Sequence, residues 1–406
     1  MIDWKKTFVI IWSGQLLSIL SSSIVGFAIV LWLSFETRSA EVLAFSTIAA
    51  LLPQSLLGPI AGVYVDRWKR KRVMILSDSF IAFCTIILAA LFYLDVAEIW
   101  QIYLLLAMRS IGSAFHSPAM QASIPLIAPK EELVRISGIN QMIQSLCNIA
   151  GPALGALLIT WMDMSFILML DVVGAIIACL GLLLVVIPDP PKEEIQEKRQ
   201  VFREMIEGIR EVTQKKGLKW LFIFSILCTF FLMPVGVLFP LMTLNHFSGT
   251  AFQMSLIEVV WGSGMLIGGM ALGLKKVKWN KIVLINLSYI ILGLSFAFSG
   301  LLPKEGYAGF VVLTTIGGIA SSIYFSMFNT VIQTNIKPSA LGRVFSMFMS
   351  VSILPSMIGL LSTGFLADSI GIASTFLICG IVVTLAGVIS FGVPSIMLLS
   401  KEDNER

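Results

Sequence analysis

The sequence predicts an all-α membrane protein with twelve transmembrane helices in two pseudo-symmetric six-helix bundles. Hydrophobic residues make up 57% of the chain and charged residues 13%, whereas a soluble chain carries about 25% charged residues. About twelve stretches reach the roughly 20 apolar residues that cross a bilayer. Two segments also repeat one pattern, in which a long apolar helix is followed by a proline (Pro129, Pro338), a turn, an arginine and a serine. Such duplicated halves are typical of alternating-access transporters.

The predicted spans follow one another with short connections, except for one longer connection in the middle. They lie near 7–33, 42–65, 73–94, 99–127, 137–161, 165–187, 218–245, 251–274, 280–302, 307–335, 343–367 and 373–400. The first stretch is too long for a cleavable signal peptide and has no small-residue cleavage site, so we expect it to span the membrane. The predicted domains are an N-terminal bundle over 1–187, a cytoplasmic linker over 188–217 and a C-terminal bundle over 218–406.

The linker is expected to contain a short amphipathic helix. It opens with PDPPKEE, and proline cannot continue a helix. Apolar residues then recur at helical spacing, with charged residues on the opposite face. These apolar residues are Phe202, Met205, Ile206, Ile209 and Val212. The prediction is a helix at the membrane surface or under the bundle; the alternative is a binding site for a specific partner.

The distribution of Lys and Arg predicts the orientation of the chain. With the N-terminus inside, all of the 28 Lys and Arg residues except Arg38, Lys304 and Arg109 fall on cytoplasmic segments. Both termini are therefore expected to be cytoplasmic in a multi-pass protein of the cell membrane. The net charge of +4 follows from this topology and does not indicate nucleic-acid binding.

Composition also argues against other classes of protein. The five cysteines are isolated in apolar stretches without metal-ligand spacing, so neither a metal nor a redox site is expected. The two histidines lie far apart and fit no nucleophile or metal pattern, which disfavours a membrane enzyme. No nucleotide-binding G-x-x-x-x-G-K-[ST] run occurs. A non-transporting receptor would not need charges inside its spans, so we expect a transporter without a cofactor.

A basic motif, GVYVDRWKRKR, follows the second predicted helix. One interpretation is a positive-inside cluster that fixes topology. The other is a cytoplasmic gate motif, formed by Gly62, Asp66, Arg67 and Arg70, in which Asp66 bridges to another helix. Topology does not require an acid among five bases, so the second interpretation is favoured. The corresponding segment of the second half, GMALGLKKVKWNK, has no acid.

The fifth predicted helix carries CNIAGPALGALL. Gly151 and Gly155 form a G-x-x-x-G pair that allows another helix to approach closely. Pro152 frees a backbone carbonyl and permits a bend. Ordinary small-residue packing also explains the glycines.

Arg109 is the one Lys or Arg well inside a predicted span. It lies about ten residues from the outer end of its helix, or about 15 Å at 1.5 Å per residue. A charge near the midplane costs at least about 2.5–3.5 kcal/mol, so Arg109 should face a cavity or an acid. Ser113 and His116 follow on the same helix face. The offset of 209 residues between the two copies of the motif maps Arg109 onto Gly318, so the second half has no counterpart of this arginine. A tethering ion pair and a role in substrate or proton coupling both remain open.

Polar residues inside the spans give the remaining candidate sites. The candidate substrate cavity comprises Gln15, Arg109, His116, Gln141, Gln144, Asn148, Asn329 and Gln333. Polar stripes also hold helices together, so either role fits each residue. Buried carboxylates can exchange protons near neutrality. Glu258 is the first candidate for proton coupling, followed by Asp171, with Arg109 as a further member.

These motifs resemble those of the major facilitator superfamily. The spacing Gly62-x-x-x-Asp66-Arg67-x-x-Arg70 resembles the family's loop signature, although Lys69 stands where the family has glycine. The Gly-Pro-x-x-Gly run at 151–155 resembles the antiporter motif of superfamily exporters, which favours an exporter over an importer. Cys147 and Ala156 replace further glycines of that pattern.

The whole chain resembles the Mef-type macrolide efflux family. The similarity is densest at RSIGSAFHSPA, EMIEGIREVTQKKG, FPLMTLNHFSGT, IKPSALGRVFS and GFLADSIG. It implies two six-helix bundles around a central cavity and proton-driven export of amphiphilic drugs such as macrolides. The expected partners are a small-molecule substrate, protons and the lipid bilayer, without nucleic acid, and the monomer is expected to be functional. Relatives carry siderophores, other drugs or metabolites, so another exported molecule or a nutrient importer is the alternative.

Overall fold

The computed structural model describes residues 4–37, 40–188, 201–274 and 279–404, and within these residues the chain is helical without strands. The first half contains α1 Trp4–Thr37, α2 Ala40–Arg67, α3 Arg70–Tyr93, α4 Ile99–Ile127, α5 Leu133–Leu158 and α6 Met164–Leu183. A short α7, Val201–Thr213, follows. The second half contains α8 Lys216–Leu241, α9 Ala251–Leu274, α10 Lys281–Leu301, α11 Tyr307–Asn335, α12 Leu341–Ile370, α13 Ile372–Phe391 and α14 Pro394–Asn404.

Nine helices in the described part of the chain are long and apolar enough to cross a membrane. They are α1, α2, α3, α6, α8, α9, α10, α11 and α13. The protein is therefore a multi-pass membrane protein, and the count of twelve spans stays a prediction. α4 and α5 fall outside the nine because they carry the polar stripes identified in the sequence, including Arg109 and Gln141.

The prediction of one last span over 373–400 is wrong. α13 ends at Phe391, and α14 begins at Pro394 after a turn at Gly392. A proline has no N–H to donate, and its fixed φ suits the first position of a new helix, so the break falls at Pro394.

The amphipathic segment of the linker forms α7. Ile206 and Ile209 are exposed on this helix, whereas Val212 is buried. Residues 189–200 and the side chain of Phe202 lie outside the described residues.

The chain divides into two compact units, each of which includes one segment from the other half of the sequence. Unit 1 comprises residues 1–130, 146–209 and 337–350, and unit 2 comprises 131–145, 210–336 and 351–406. Unit 1 has an aliphatic core that includes Leu33, Leu88 and Ile167. The core of unit 2 is aromatic and includes Phe239, Phe296, Phe310 and Phe376. The predicted boundaries, 1–187, 188–217 and 218–406, describe the sequence repeat and stay a prediction.

The bounds of the helices give the register of the repeat. α4 and α11 differ by 208 residues at both ends, as do α6 and α13. Pro129 and Pro338 lie one residue further apart because Lys337 is inserted before Pro338. The counterpart of Arg109 is therefore Gly317, one residue from the Gly318 that the proline motif gives.

Candidate functional site

Arg109 on α4 forms an ion pair with Asp171 on α6. The guanidinium Nη1 lies 2.9 Å from Oδ2 of Asp171 and donates to the Thr85 hydroxyl at 2.6 Å. The hydroxyls of Thr85 on α3 and Ser22 on α1 donate to the two oxygens of Asp171 at 3.0 and 2.5 Å. This arrangement identifies the acid that Arg109 requires.

In the Arg109–Asp171 pair, the acid is enclosed by protein. Asp171 is 1% exposed, and the side chain of Arg109 retains 12% exposure. A buried carboxylate without partners is very costly, whereas one that is paired and hydrogen-bonded is tolerated. Three helices thus supply the donors that allow α6 to bury an acid.

A second polar group lies among the same helices. Nε2 of His116 on α4 is 3.3 Å from Oδ1 of Asp78 on α3. The side-chain amide of Gln15 on α1 donates to Oδ2 of Asp78 at 3.5 Å. Gln15 and Asp78 are buried, and His116 keeps 16% side-chain exposure.

The two groups form successive layers because of helical spacing. Seven residues separate Gln15 from Ser22, Asp78 from Thr85, and Arg109 from His116. Residues seven apart lie on the same helix face, about 10 Å along the axis. We call the set the polar ladder. Its first layer is Ser22, Thr85, Arg109 and Asp171, and its second layer is Gln15, Asp78 and His116.

Asp66 of the gate motif binds the first turn of α12, 276 residues further along the chain. Its two oxygens accept the backbone N–H groups of Gly342 at 2.8 Å and Arg343 at 3.0 Å. These donors have no partner within their own helix, and the helix dipole favours a negative charge there. We call this contact the latch.

The two arginines of the gate motif differ in environment. The guanidinium of Arg70 is buried, lies 3.6 Å from Asp66, and donates to the carbonyls of Ala122 and Pro338. Arg67 is exposed and lies over the ring of Tyr64. Arg70 therefore belongs to the latch, whereas Arg67 lies at its surface.

Glycines allow α2 to approach the backbone of α12. A Cβ on Gly62 would lie 2.6 Å from the Cα of Arg343, and one on Gly58 would lie 2.5 Å from the Ser350 hydroxyl. In unit 2, a Cβ on Gly138 of α5 would lie 2.7 Å from the backbone nitrogen of Gly273 on α9. In each unit a glycine thus allows two helix backbones to come close, and in α2 an acid, Asp66, follows four residues after Gly62.

The linker helix contacts the latch through Arg343. Nη1 of Arg343 lies 3.7 Å from Oε2 of Glu207 on α7, while Nε lies 3.5 Å from Asp66. A Cβ on Gly208 would meet the side chains of Met347 and Arg343 at 3.0 and 3.3 Å. The sequence analysis did not identify Glu207, because a charged residue on an amphipathic helix gives no signal of its partner.

The Gly-Pro-x-x-Gly run at 151–155 packs α5 against α1. A Cβ on Gly151 would lie 2.1 Å from the hydroxyl of Ser23, and one on Gly155 would lie 3.0 Å from the Ile24 carbonyl. The Ser23 hydroxyl also donates to the carbonyl of Cys147 at 3.0 Å. Pro152 lies inside α5, where it has no N–H for the preceding turn. These glycines therefore have a packing role.

The other predicted cavity residues have varied environments. Gln333 is buried and Asn329 half-buried on α11; on α5, Gln141 is half-buried, and Gln144 and Asn148 are exposed. Their shared role in a cavity stays a prediction. Glu258 is exposed on α9, and the described residues give it no ion pair or hydrogen bond. The sequence analysis missed Thr85 as a ladder member; its spacing of seven from Asp78 was the available signal.

A family model for the Major Facilitator Superfamily matches residues 11–352. The chain belongs to the major facilitator superfamily. The sequence-based identification of the family and fold is thereby confirmed. The proteins compared below are named as transporters or efflux proteins.

Two curated relatives are similar over most of the chain. Macrolide efflux protein A of Streptococcus pyogenes is 38% identical over 388 residues, which cover 95% of this chain and 96% of the relative. Macrolide efflux protein A of Enterococcus faecalis is 40% identical over 323 residues, or 79% of this chain and 99% of the relative.

Two solved structures with low sequence identity have the same fold. The human organic anion transporter MFSD10 superposes with a TM-score of 0.77 at 14% identity, covering 96% of this chain and all of that one. A bacterial homologue of the iron transporter ferroportin, in an outward-facing state, gives 0.76 at 15% identity, covering 98% and 100% of the two chains.

Proposed function

We propose that this protein exports amphiphilic drugs such as macrolide antibiotics across the cell membrane, driven by protons, through alternating access. The observation that carries this proposal is the 38% identity to Macrolide efflux protein A over 95% of the chain. The antiporter-type motif at 151–155 supports export over import. On the Lys and Arg distribution, both termini are cytoplasmic and the latch lies on the cytoplasmic side.

Protons supply enough energy for this exchange. A proton that returns across about 150 mV releases about 3.5 kcal/mol. At 1.4 kcal/mol per factor of ten, one proton supports a gradient of roughly 300-fold for an uncharged drug.

Three residues are proposed to couple proton and drug movement: Glu258, Asp171 and Arg109. Glu258 ranks first from sequence because its helix is expected to border the interface between halves. The contacts of Asp171 with Arg109, Thr85 and Ser22 favour the first-half pair, since protonation of Asp171 would release Arg109. In this role Arg109 pairs with Asp171 while the acid is charged, and its guanidinium is free to contact the substrate when the acid is protonated.

The latch is proposed to hold the cytoplasmic side closed. Opening requires Asp66 to leave two backbone donors and two arginines together. Charged acceptors of this kind are worth more than neutral ones. The gate would therefore open as a unit and not residue by residue.

Accumulation of a labelled macrolide in a pump-deficient host tests the function. Cells that express the chain should accumulate less drug than cells with the empty vector, and a protonophore should abolish the difference. Equal accumulation with and without the chain would contradict drug export, and protonophore-resistant export would contradict proton coupling.

A further inference from the structure

The second layer of the polar ladder contains an acid–base pair that the proposed coupling residues do not include. Asp78 and His116 lie within ion-pair distance, 3.3 Å, on adjacent helices. Gln15 donates its amide to the other oxygen of Asp78. The side chain of His116 keeps 16% exposure, whereas its Nε2, the atom that faces Asp78, is buried.

The pair is placed in line with Asp171 and Arg109. The shared spacing of seven residues on α1, α3 and α4 stacks the two layers about 10 Å apart. Histidine is the side chain whose ordinary pKa lies closest to neutrality, so a proton can bind and leave it at physiological pH. The second layer therefore has both the position and the chemistry of a relay.

Helix packing alone does not require charged residues in the second layer of the ladder. α3 and α10 begin 211 residues apart and end 208 apart. Counted from their beginnings, Tyr289 corresponds to Asp78, and the register of α4 and α11 pairs Tyr324 with His116. The two tyrosine rings contact each other with centroids 4.9 Å apart. Neutral aromatic rings thus fill the corresponding layer of the second half.

We propose that Asp78 and His116 form a second proton-binding site, which takes up the proton that leaves Asp171 and releases it to the cytoplasm. This rests on the proposed proton-driven export. The His116 ring takes the proton, which gives an imidazolium whose Nε2 faces the Asp78 carboxylate. Release to water restores the neutral ring, and no covalent bond is formed or broken.

The charged and titratable surroundings of the pair are few in the described part of the chain. α1 contributes Gln15, which does not titrate. On α6, the Cys179 thiol lies near enough to interact with the charge of Asp78. α2 also packs along α4, and its described charges, Asp66 and Arg67, lie at its end in the gate motif. Asp78 is therefore the main partner that sets the proton affinity of His116.

Histidine-labelled protein in lipid nanodiscs tests the proposal directly. The chain has two histidines, and His246→Gln assigns the ¹⁵N signals. In the described structure the His246 ring contacts the Leu302 carbonyl and the ring of Phe247, and neither belongs to the polar ladder. We expect the His116 signal to change protonation between pH 5 and 9, and Asp78→Asn to change the pH at which it does so. A His116 signal that stays in one protonation state over this range would overturn the proposal.

Transport by reconstituted protein supplies the second readout. His116→Gln should lower pH-gradient-driven export at least about tenfold and flatten its pH profile, while His246→Gln should match the wild type. If His116→Gln keeps the wild-type pH profile and moves the same number of protons per drug molecule, the proposal is overturned, even if the His116 ring of the wild type titrates. If the wild type ignores a pH gradient, the proposed coupling fails instead, and the NMR titration still decides whether the site binds protons.

Discussion

Where the first half of the chain has the carboxylate of Asp78 and the imidazole of His116, the second half has the rings of Tyr289 and Tyr324. The Asp78 carboxylate contacts His116 and Gln15. The hydroxyl of Tyr324 shares a hydrogen bond with Ser225 on α8. The Asp78–His116 layer can change its charge near neutral pH, whereas the tyrosine layer stays neutral there.

The first layer of the ladder shows the same contrast. Gly317 takes the place of Arg109 and Cys379 that of Asp171, and Phe296 takes the place of Thr85 when α3 and α10 are aligned at their beginnings. Phe296 and Cys379 belong to the aromatic core of unit 2. An ion pair in one half is thus matched by apolar packing in the other.

The difference between the halves shows that the helix framework can form without buried charges. Both halves form the same series of helices, so the framework does not depend on buried charge. Burying a charge costs free energy even when the charge is paired. The charges of the first half therefore call for a role beyond packing, and proton coupling is the role that fits an acid, an arginine and a histidine in line.

Breaking the Arg109–Asp171 pair is expected to give the largest effect. Arg109→Ala leaves a buried carboxylate without its cation, which should destabilise the protein by about 3–5 kcal/mol. The yield of monodisperse protein and its Tm in detergent would measure the loss. The double variant Arg109→Met/Asp171→Leu removes both charges and should recover most of the stability. Equal losses in the single and double variants would show that the unpaired charge is not the cause.

Neutralising the latch should give the next largest effect. Asp66→Asn weakens charged hydrogen bonds that are worth roughly 1.5–3 kcal/mol each, so we expect export to slow by about tenfold or more with normal insertion. The initial export rate in proteoliposomes is the measurement. Arg67→Gln, at the exposed position beside it, is the matched control. Normal export by Asp66→Asn would reduce the motif to a topology signal.

Removing the hydroxyl of Tyr324 should have a smaller effect and should leave pH dependence unchanged. Tyr324→Phe loses one neutral hydrogen bond, worth about 1 kcal/mol. Its Tm and its pH profile of export should be compared with those of His116→Gln, its counterpart in the first half. A pH profile that changes as much in Tyr324→Phe would remove the contrast between the halves.

The contact of α7 with the latch should give the smallest effect. Glu207 is 29% exposed and lies 3.7 Å from Arg343, and pairs of this kind contribute about 0.2–1 kcal/mol. Glu207→Gln should therefore change the export rate by less than about fivefold, and the difference should shrink at high salt. Export rates at low and high ionic strength would measure it. A salt-independent effect would mean that α7 acts through Gly208 packing and not through charge.

Most of the helix framework could be predicted from the sequence because apolar length and proline position act locally. The helix from 99 to 127 and the helix from 307 to 335 begin and end at the predicted residues. The break at Pro394 was missed because the span was predicted from hydropathy, although Gly392 and Pro394 mark it in the sequence. Hydropathy alone does not distinguish one span from two helices.

The partners of the functional residues could be predicted only in part. The cost of a buried charge predicted that Arg109 needs an acid or a cavity, but nothing local identifies Asp171, which is distant in sequence. Likewise, the acid among bases predicted that Asp66 bridges to another helix, whereas the backbone donors of Gly342 and Arg343 carry no side-chain signal. Tertiary pairing of this kind is set by helix packing and not by pattern.

Gradient-driven export by reconstituted protein tests most directly whether coupling resides in the first half. Drug movement under an imposed pH gradient should be compared for Arg109→Met/Asp171→Leu and for Glu258→Gln, with drug binding measured on both. We predict that the first-half double variant binds drug but no longer moves it against a gradient, and that Glu258→Gln loses less. If the double variant still exports drug against a gradient at the wild-type rate while Glu258→Gln does not, this account is contradicted. The residue that binds the coupling proton would then lie in the second half.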